Sequence, residues 1–285
     1  MKSILPIPCH SHNDYWRQRP LYSAIGSGCI SIEADVWDIG TDLFVAHELD
    51  EVVRDRTLQS LYLKPLVGVL DHMNRKWALR SPPRGIFHQH PDQTLVLVVD
   101  FKRPEVWPIL QQQLQTLREK GYLTYWNGTD RTSRPITVVA SGVAPFDLLV
   151  QNTTYRDVFY DAPLDRLGDC TGLDCLLHQS KNQTQPPKYN ISNSYYASSS
   201  LSHAVGSLVG FAFTEAQIKL LQQQIYDARE RGLIPRYWGT PRWPRSLRDG
   251  VWSVLMQAGV GVLDVDDLRA ARKGHWGSWP QRSRQ

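Results

Sequence analysis

No apolar run in the chain is long enough to cross a bilayer. The longest, such as 95–99, fall far short of the roughly 20 residues a membrane-spanning helix needs, which excludes an integral helical membrane protein. Low-complexity tracts are absent too. With 41% hydrophobic and 21% charged residues over 285 positions, the composition is that of a soluble globular protein. Charge of one sign is also lacking. The formal net charge is +4, and although ten Lys/Arg face four Asp/Glu from Arg231 onward, they are scattered over helices and a tail. That pattern is a solvated surface rather than a nucleic-acid stripe, and no obligate protein partner is evident. Cysteine is scarce: four residues, none with zinc-site spacing. Cys170 and Cys175 flank a short loop suited to a local disulfide, whereas Cys9 and Cys29 are expected at opposite ends of neighbouring strands, unable to pair.

Asparagine is rare as well, yet of the seven present, Asn127, Asn152, Asn182 and Asn190 each open an N-x-S/T sequon. This leans towards a glycoprotein of the secretory pathway. No signal peptide precedes the first strand, which is compatible with a removed leader or with none.

Short β-rich runs alternate with helical patterns along the whole length. Strands are expected near 4–9, 30–36, 95–101, 136–140, 158–160, 190–196, 234–238 and 260–265. The clearest helix is "TEAQIKLLQQQIYDARERG". Thr214 and Gln217 make a capping box, Ile218, Leu221, Ile225 and Ala228 share a face, and Gly232 stops it. "RPEVWPILQQQLQTLREKG" and "PRSLRDGVWSVLMQAG" repeat the pattern. Eight such units predict a single-domain α/β protein, a (β/α)8 TIM barrel over 1–285, with its active site at the C-terminal strand ends. Two stretches, 81–94 and 167–188, read as long loops.

Polar residues at those strand ends are therefore the candidates. Strand two ends "SIEADVW", and residues two apart on a strand share a face, so Glu33 and Asp35 project together. Strand three ends "LVVDFK", adding Asp100, with Lys102 two residues on. Three carboxylates make an oxygen-rich site for one divalent cation, Mg²⁺ or Ca²⁺. After Asp35, two β-like arms surround Gly40 and Thr41; a hairpin centred on 41 sets position 47 opposite 35 and returns His47 to the cation. Strand one ends "HSHND", with His10 and His12. A two-metal amidohydrolase would need further histidines after the middle strands, and they are missing. One strand-one histidine and His47 then form an acid/base pair beside an oxygen-bound cation. Late in the chain, "RYWGTPRW" offers Arg236 as a phosphate contact and Trp238 as an aromatic wall for a headgroup or a resting point on lipid.

His10-x-x-Asn13, Glu33-x-Asp35, His47 twelve residues later and Asp100-x-Lys102 together resemble the phospholipase-C-like phosphodiesterases, which include glycerophosphodiester phosphodiesterases and sphingomyelinase D-type phospholipases. "HSHNDYWRQRPLYSAIGSGCISIEADVW" with "RYWGTPRWPRSLRDGVWSVLMQAGVGVLDVDDL" is most similar to the fungal altered inheritance of mitochondria protein 6 family. The resemblance implies cleavage of a glycerophosphodiester or phospholipid-type substrate, with peripheral membrane contact. It makes His10 and His47 catalytic, Glu33, Asp35 and Asp100 metal ligands, and Lys102 a phosphate contact, with Asn13 and His12 beside the substrate. "HSHND" departs from the His-Arg-Gly entry of glycerophosphodiester enzymes. A barrel that binds lipid without turnover is the rival reading.

Overall fold

A computed structural model describes residues 3–76, 82–167, 188–208, 210–274 and 276. Eleven strands occur among them: β1 (Ile7–Ser11), β2 (Cys29–Ile39), β3 (Asp42–Val45), β4 (Leu95–Phe101), β5 (Tyr125–Trp126), β6 (Arg131–Thr132), β7 (Ile136–Gly142), β8 (Val158–Pro163), β9 (Ser194–Ser200), β10 (Ile234–Trp238) and β11 (Leu263–Val265). The main sheet runs β10-β9-β8-β7-β4-β2-β1-β11, so each parallel strand except β10 neighbours the next one in the chain, with helices between. This is the order of a (β/α)8 TIM barrel. β3 is an antiparallel hairpin arm on β2, and β5 and β6 form a separate small hairpin.

The described residues fall into two compact units. The first runs to Tyr160 and takes in Val265–Gly274; the second is Asp161–Asp264. β4 shows why the first unit folds. Its residues 95–99 are all apolar and at most 2% exposed, as befits a parallel strand covered on both faces. The first polar residue, Asp100, comes where that strand reaches its C-terminal end.

In the second unit, Thr214 caps the helix Glu215–Glu230 through the reciprocal bonds expected with Gln217. At the other end Gly232, at φ 71°, lets its own N–H reach Arg229 O and the Leu233 N–H reach Ala228 O. Thr214→Ala should cost about 1 kcal/mol in chemical denaturation, because the Gln217 N–H loses its acceptor.

Cys9 and Cys29 form a disulfide, Cα–Cα 4.8 Å, which overturns the expectation that they cannot pair. Cys9 lies mid-strand rather than at an end. The β1–β2 register slips between Ile7↔Cys29 and His10↔Ser31, and this bulge carries Cys9 beside the head of β2. Both cysteines are 0% exposed. The bridge closes a sequence separation of 20, so replacing both cysteines by serine should lower unfolding free energy by about 3 kcal/mol. Denaturant titration of the two proteins checks this.

The loop expected over 81–94 carries no helix or strand among its described residues. Cys170, Cys175, Asn182 and most of the loop expected over 167–188 lie outside the described residues.

Candidate active site

β2 builds the site. Ser31, Glu33 and Asp35 lie on one face because side chains repeat every second residue, and all three are buried. Each engages a histidine. His10 Nδ1 is 2.7 Å from Ser31 Oγ, and its Nε2 is 3.4 Å from Glu33 Oε2. His12 Nε2 stands 3.9 Å from that same oxygen, while its Nδ1 is held at 2.9 Å by Asp266, just past β11. His47 Nδ1 lies 3.0 Å from Asp35 Oδ2. Access separates the three. The His10 side chain is 0% exposed, His12 20% and His47 42%.

The hairpin behind His47 differs from expectation by half a residue. Its pairs, Val36↔Val45 to Ile39↔Asp42, leave a two-residue turn at Gly40 and Thr41, so it centres between them. Ala46, not His47, then bonds the Asp35 backbone, N to O at 3.3 Å. His47 reaches the Asp35 carboxylate through its ring instead. Trp16 lies tilted against that ring, centroids 5.5 Å apart, with 53% of its surface exposed.

Asp100, at the end of β4, accepts from Ser141 Oγ at 2.8 Å. Lys102 bridges the carboxylates, its Nζ 2.7 Å from Asp35 Oδ2 and 2.8 Å from Asp100 Oδ2. Burial, then the charges of Glu33 and Asp100, push the Asp35 carboxyl up to about 6 despite the lysine. Burial works to lower Lys102, yet Asp100 and Asp35 outweigh it and hold the ammonium well above its usual range. The cluster is thus over-supplied with negative charge, and its donors are all hard oxygens. That chemistry fits a divalent cation. Among the described residues, however, no group of three His, Cys, Asp or Glu side chains stands ready-made as a cation cage.

Asn13 adopts the left-handed region, φ 44°, which lets its backbone N–H donate to Glu33 Oε2 at 3.0 Å. Tyr15 is a site residue that sequence reasoning missed. Its hydroxyl donates to Asn13 Oδ1 at 3.0 Å and lies 3.3 Å from His47 Nδ1. Burial and then the Asp35 charge push its phenol far up, so it stays a neutral donor. Ser31 was missed as well, although it lies two residues before Glu33 on the same strand face. Asp266 was not, since it lies 254 residues from His12.

Arg236 and Trp238 belong to the second unit. Arg236 is enclosed there, its Nη1 donating to Asp264 at 3.0 Å, Nη2 to Asp161 at 3.3 Å and Nε to Ser198 Oγ at 3.0 Å. Trp238 is 43% exposed.

Residues 1–161 match a family model described as an AIM6-like phosphodiesterase domain. Over 285 residues the chain is 38% identical to the "Altered inheritance of mitochondria protein 6 homolog" of Arthroderma benhamiae, spanning 95% of this chain and 84% of that protein. Identity to the "Altered inheritance of mitochondria protein 6" of Eremothecium gossypii is 34%, over 93% of this chain and 68% of that one. For the Saccharomyces cerevisiae protein of the same name it is 30%, over 94% and 70%.

Proposed function

Since the chain belongs to the AIM6-like phosphodiesterase family, we propose that it cleaves phosphodiesters of the glycerophosphodiester or phospholipid type, with one divalent cation and a two-histidine acid/base mechanism. The observation that carries this reading is on β2. Its two same-face carboxylates each bring up a solvent-accessible imidazole, His12 at Glu33 and His47 at Asp35.

One imidazole takes the proton of the nucleophile, either water or a neighbouring hydroxyl of the substrate, and the other protonates the leaving oxygen. A histidine suits both tasks, because its ordinary pKa of about 6.5 allows one ring to be neutral and the other charged near neutrality. Access supports giving the β1 role to His12 rather than to His10, which is sealed beneath Ser31 and Glu33. Asp266 holds the His12 ring through Nδ1, and Asp35 with Tyr15 holds His47 through its Nδ1, so the proton-transfer role is assigned to Nε2 of each. Lys102 places a fixed positive charge at the same spot for the phosphoryl oxygens. Trp16 sets an exposed aromatic face beside His47 for the organic part of the diester or for a lipid surface.

Glu33, Asp35 and Asp100 would hold the cation, Mg²⁺ or Ca²⁺, and the ion would supply charge neutralisation at a non-bridging phosphoryl oxygen. Its binding has a pH signature. With its folded pKa near 6 and an unfolded value near 4, Asp35 keeps a proton in the native state that the unfolded chain has already lost. Without cation, stability is therefore lost as pH rises through that window, from about 4 to about 6. Mg²⁺ should offset the loss, so the rise in melting temperature it causes should be larger at pH 7 than at pH 5. Thermal scans of chelator-washed protein at both values check this; an equal or absent shift would remove the three-carboxylate site from the proposal.

A further inference from the structure

Independently of the proposed reaction, we infer that Asn127 and Asn152 are N-glycosylated, on a chain that folds in an oxidising compartment. Both asparagines are exposed in surface turns of the first unit. In each the carboxamide is already arranged. Asn127 Oδ1 accepts the backbone N–H groups of Thr129 and Asp130 at 2.9 and 2.8 Å. Asn152 Oδ1 accepts Thr154 N, Thr154 Oγ1 and Tyr155 N, each at 3.0 Å. The donors on Oδ1 hold each carboxamide in place without engaging its Nδ2. Among the described residues neither Nδ2 has a hydrogen-bond partner, so nothing has to be broken to use it. At Asn152 one donor is the hydroxyl of the sequon's own threonine.

Asn127 sits in the β5–β6 turn ahead of β7, and Asn152 in the segment ahead of β8. Both therefore precede the N-terminal end of a strand, whereas the candidate active site is drawn from the C-terminal ends of β1, β2 and β4. The two turns adjoin, because Trp126 and Arg156 exchange backbone bonds of 2.7 and 3.1 Å. Two glycans would share one patch and leave the catalytic strand ends uncovered. Asn190, ahead of β9, is half-buried, and its Oδ1 accepts Ser192 N; it is not assigned.

The Cys9–Cys29 bridge joins two cysteines with no exposure. Disulfides of this structural kind persist where the surroundings are oxidising, which is also where the oligosaccharide is attached. The donor class is a lipid-diphosphate-linked oligosaccharide. Nδ2 forms a bond to the sugar C1, the C1–O bond to the diphosphate breaks, the lipid diphosphate leaves with the electron pair, and Nδ2 gives up one proton. Nothing is oxidised or reduced.

The test is peptide mass spectrometry on the full chain isolated from the cells that make it, after enzymatic deglycosylation in ¹⁸O water. The expected result is ¹⁸O-labelled aspartate at positions 127 and 152, with Cys9 and Cys29 recovered as a bridged peptide. In gels, Asn127→Gln and Asn152→Gln should each lose one glycan step, with unchanged phosphodiesterase rate. Unlabelled asparagine at both positions, or labelling confined to other sequons, would overturn the assignment. Free thiols at Cys9 and Cys29 would overturn the compartment.

Discussion

His47→Ala is expected to lower kcat for phosphodiester cleavage by about 100-fold or more, the usual contribution of a general acid or base. The melting temperature should barely move, because the His47 side chain is 42% exposed and little packing is lost. His12→Ala should cause a loss of the same order. His10 is the informative control. Its ring is sealed with Nδ1 on Ser31, so its replacement acts on folding rather than on chemistry. His10→Asn, which keeps a donor near Ser31 Oγ, should fold with stability reduced by about 1–3 kcal/mol and retain most of kcat. The three variants, compared by steady-state kinetics and thermal scans, separate a proton-transfer residue from a packing residue. If His10→Asn folded but lost activity while His12→Ala kept it, the β1 role would return to His10.

The second large effect concerns Arg236. Arg236→Ala should lower unfolding free energy by about 3–5 kcal/mol, since it takes a paired cation away from the buried carboxylates Asp161 and Asp264. The side chains of all three are 4–6% exposed, so water screens the carboxylate charges poorly. Neutralising the whole set, Arg236→Met with Asp161→Asn and Asp264→Asn, should recover much of the loss, because apolar or neutral replacements avoid the desolvation of charge. Urea titration of both variants measures this. A mild effect of the single substitution would mean that the carboxylates find other partners or solvent. These ion pairs also explain why a phosphate contact read from the "RYW" motif is a poor guide. The guanidinium that sequence offers to substrate is committed to two aspartates and Ser198.

The bounds of two strands were the most legible part of the fold. β4 and β10 begin and end where the pattern places them, at 95–101 and 234–238. β9 was read too early. Asn190 to Ser194 make a turn, with Asn193 N and Ser194 N bonded to Asn190 O, and the strand continues instead through serines that carry no apolar signal. Ser198 is polar because it faces the Arg236 guanidinium. Two errors came from register, which depends on backbone geometry that residue types do not announce. The β1 bulge made the Cys9–Cys29 bridge possible, and the two-residue turn at Gly40 moved the hairpin centre by half a residue. The carboxylates and His47 were legible because period-two spacing and strand ends sufficed to collect them. The difference between His10 and His12 was not, since both precede Asn13 and only burial distinguishes them. Tyr15 was hidden for a similar reason. An aromatic after a strand ordinarily packs, and its hydroxyl becomes informative only once it lies 3.3 Å from His47.

The most direct measurement is phosphorus NMR of a mixed pool of glycerophosphodiesters, lysophospholipids and sphingomyelin incubated with the protein and Mg²⁺, repeated with chelator and with His47→Ala. New phosphomonoester or cyclic-phosphate resonances that vanish in both controls are the expected result, and the resonance lost from the pool names the substrate. Resonances that persist with chelator or with His47→Ala would contradict a cation-dependent, two-histidine phosphodiesterase, and a pool left unchanged while Mg²⁺ is bound would contradict the substrate class.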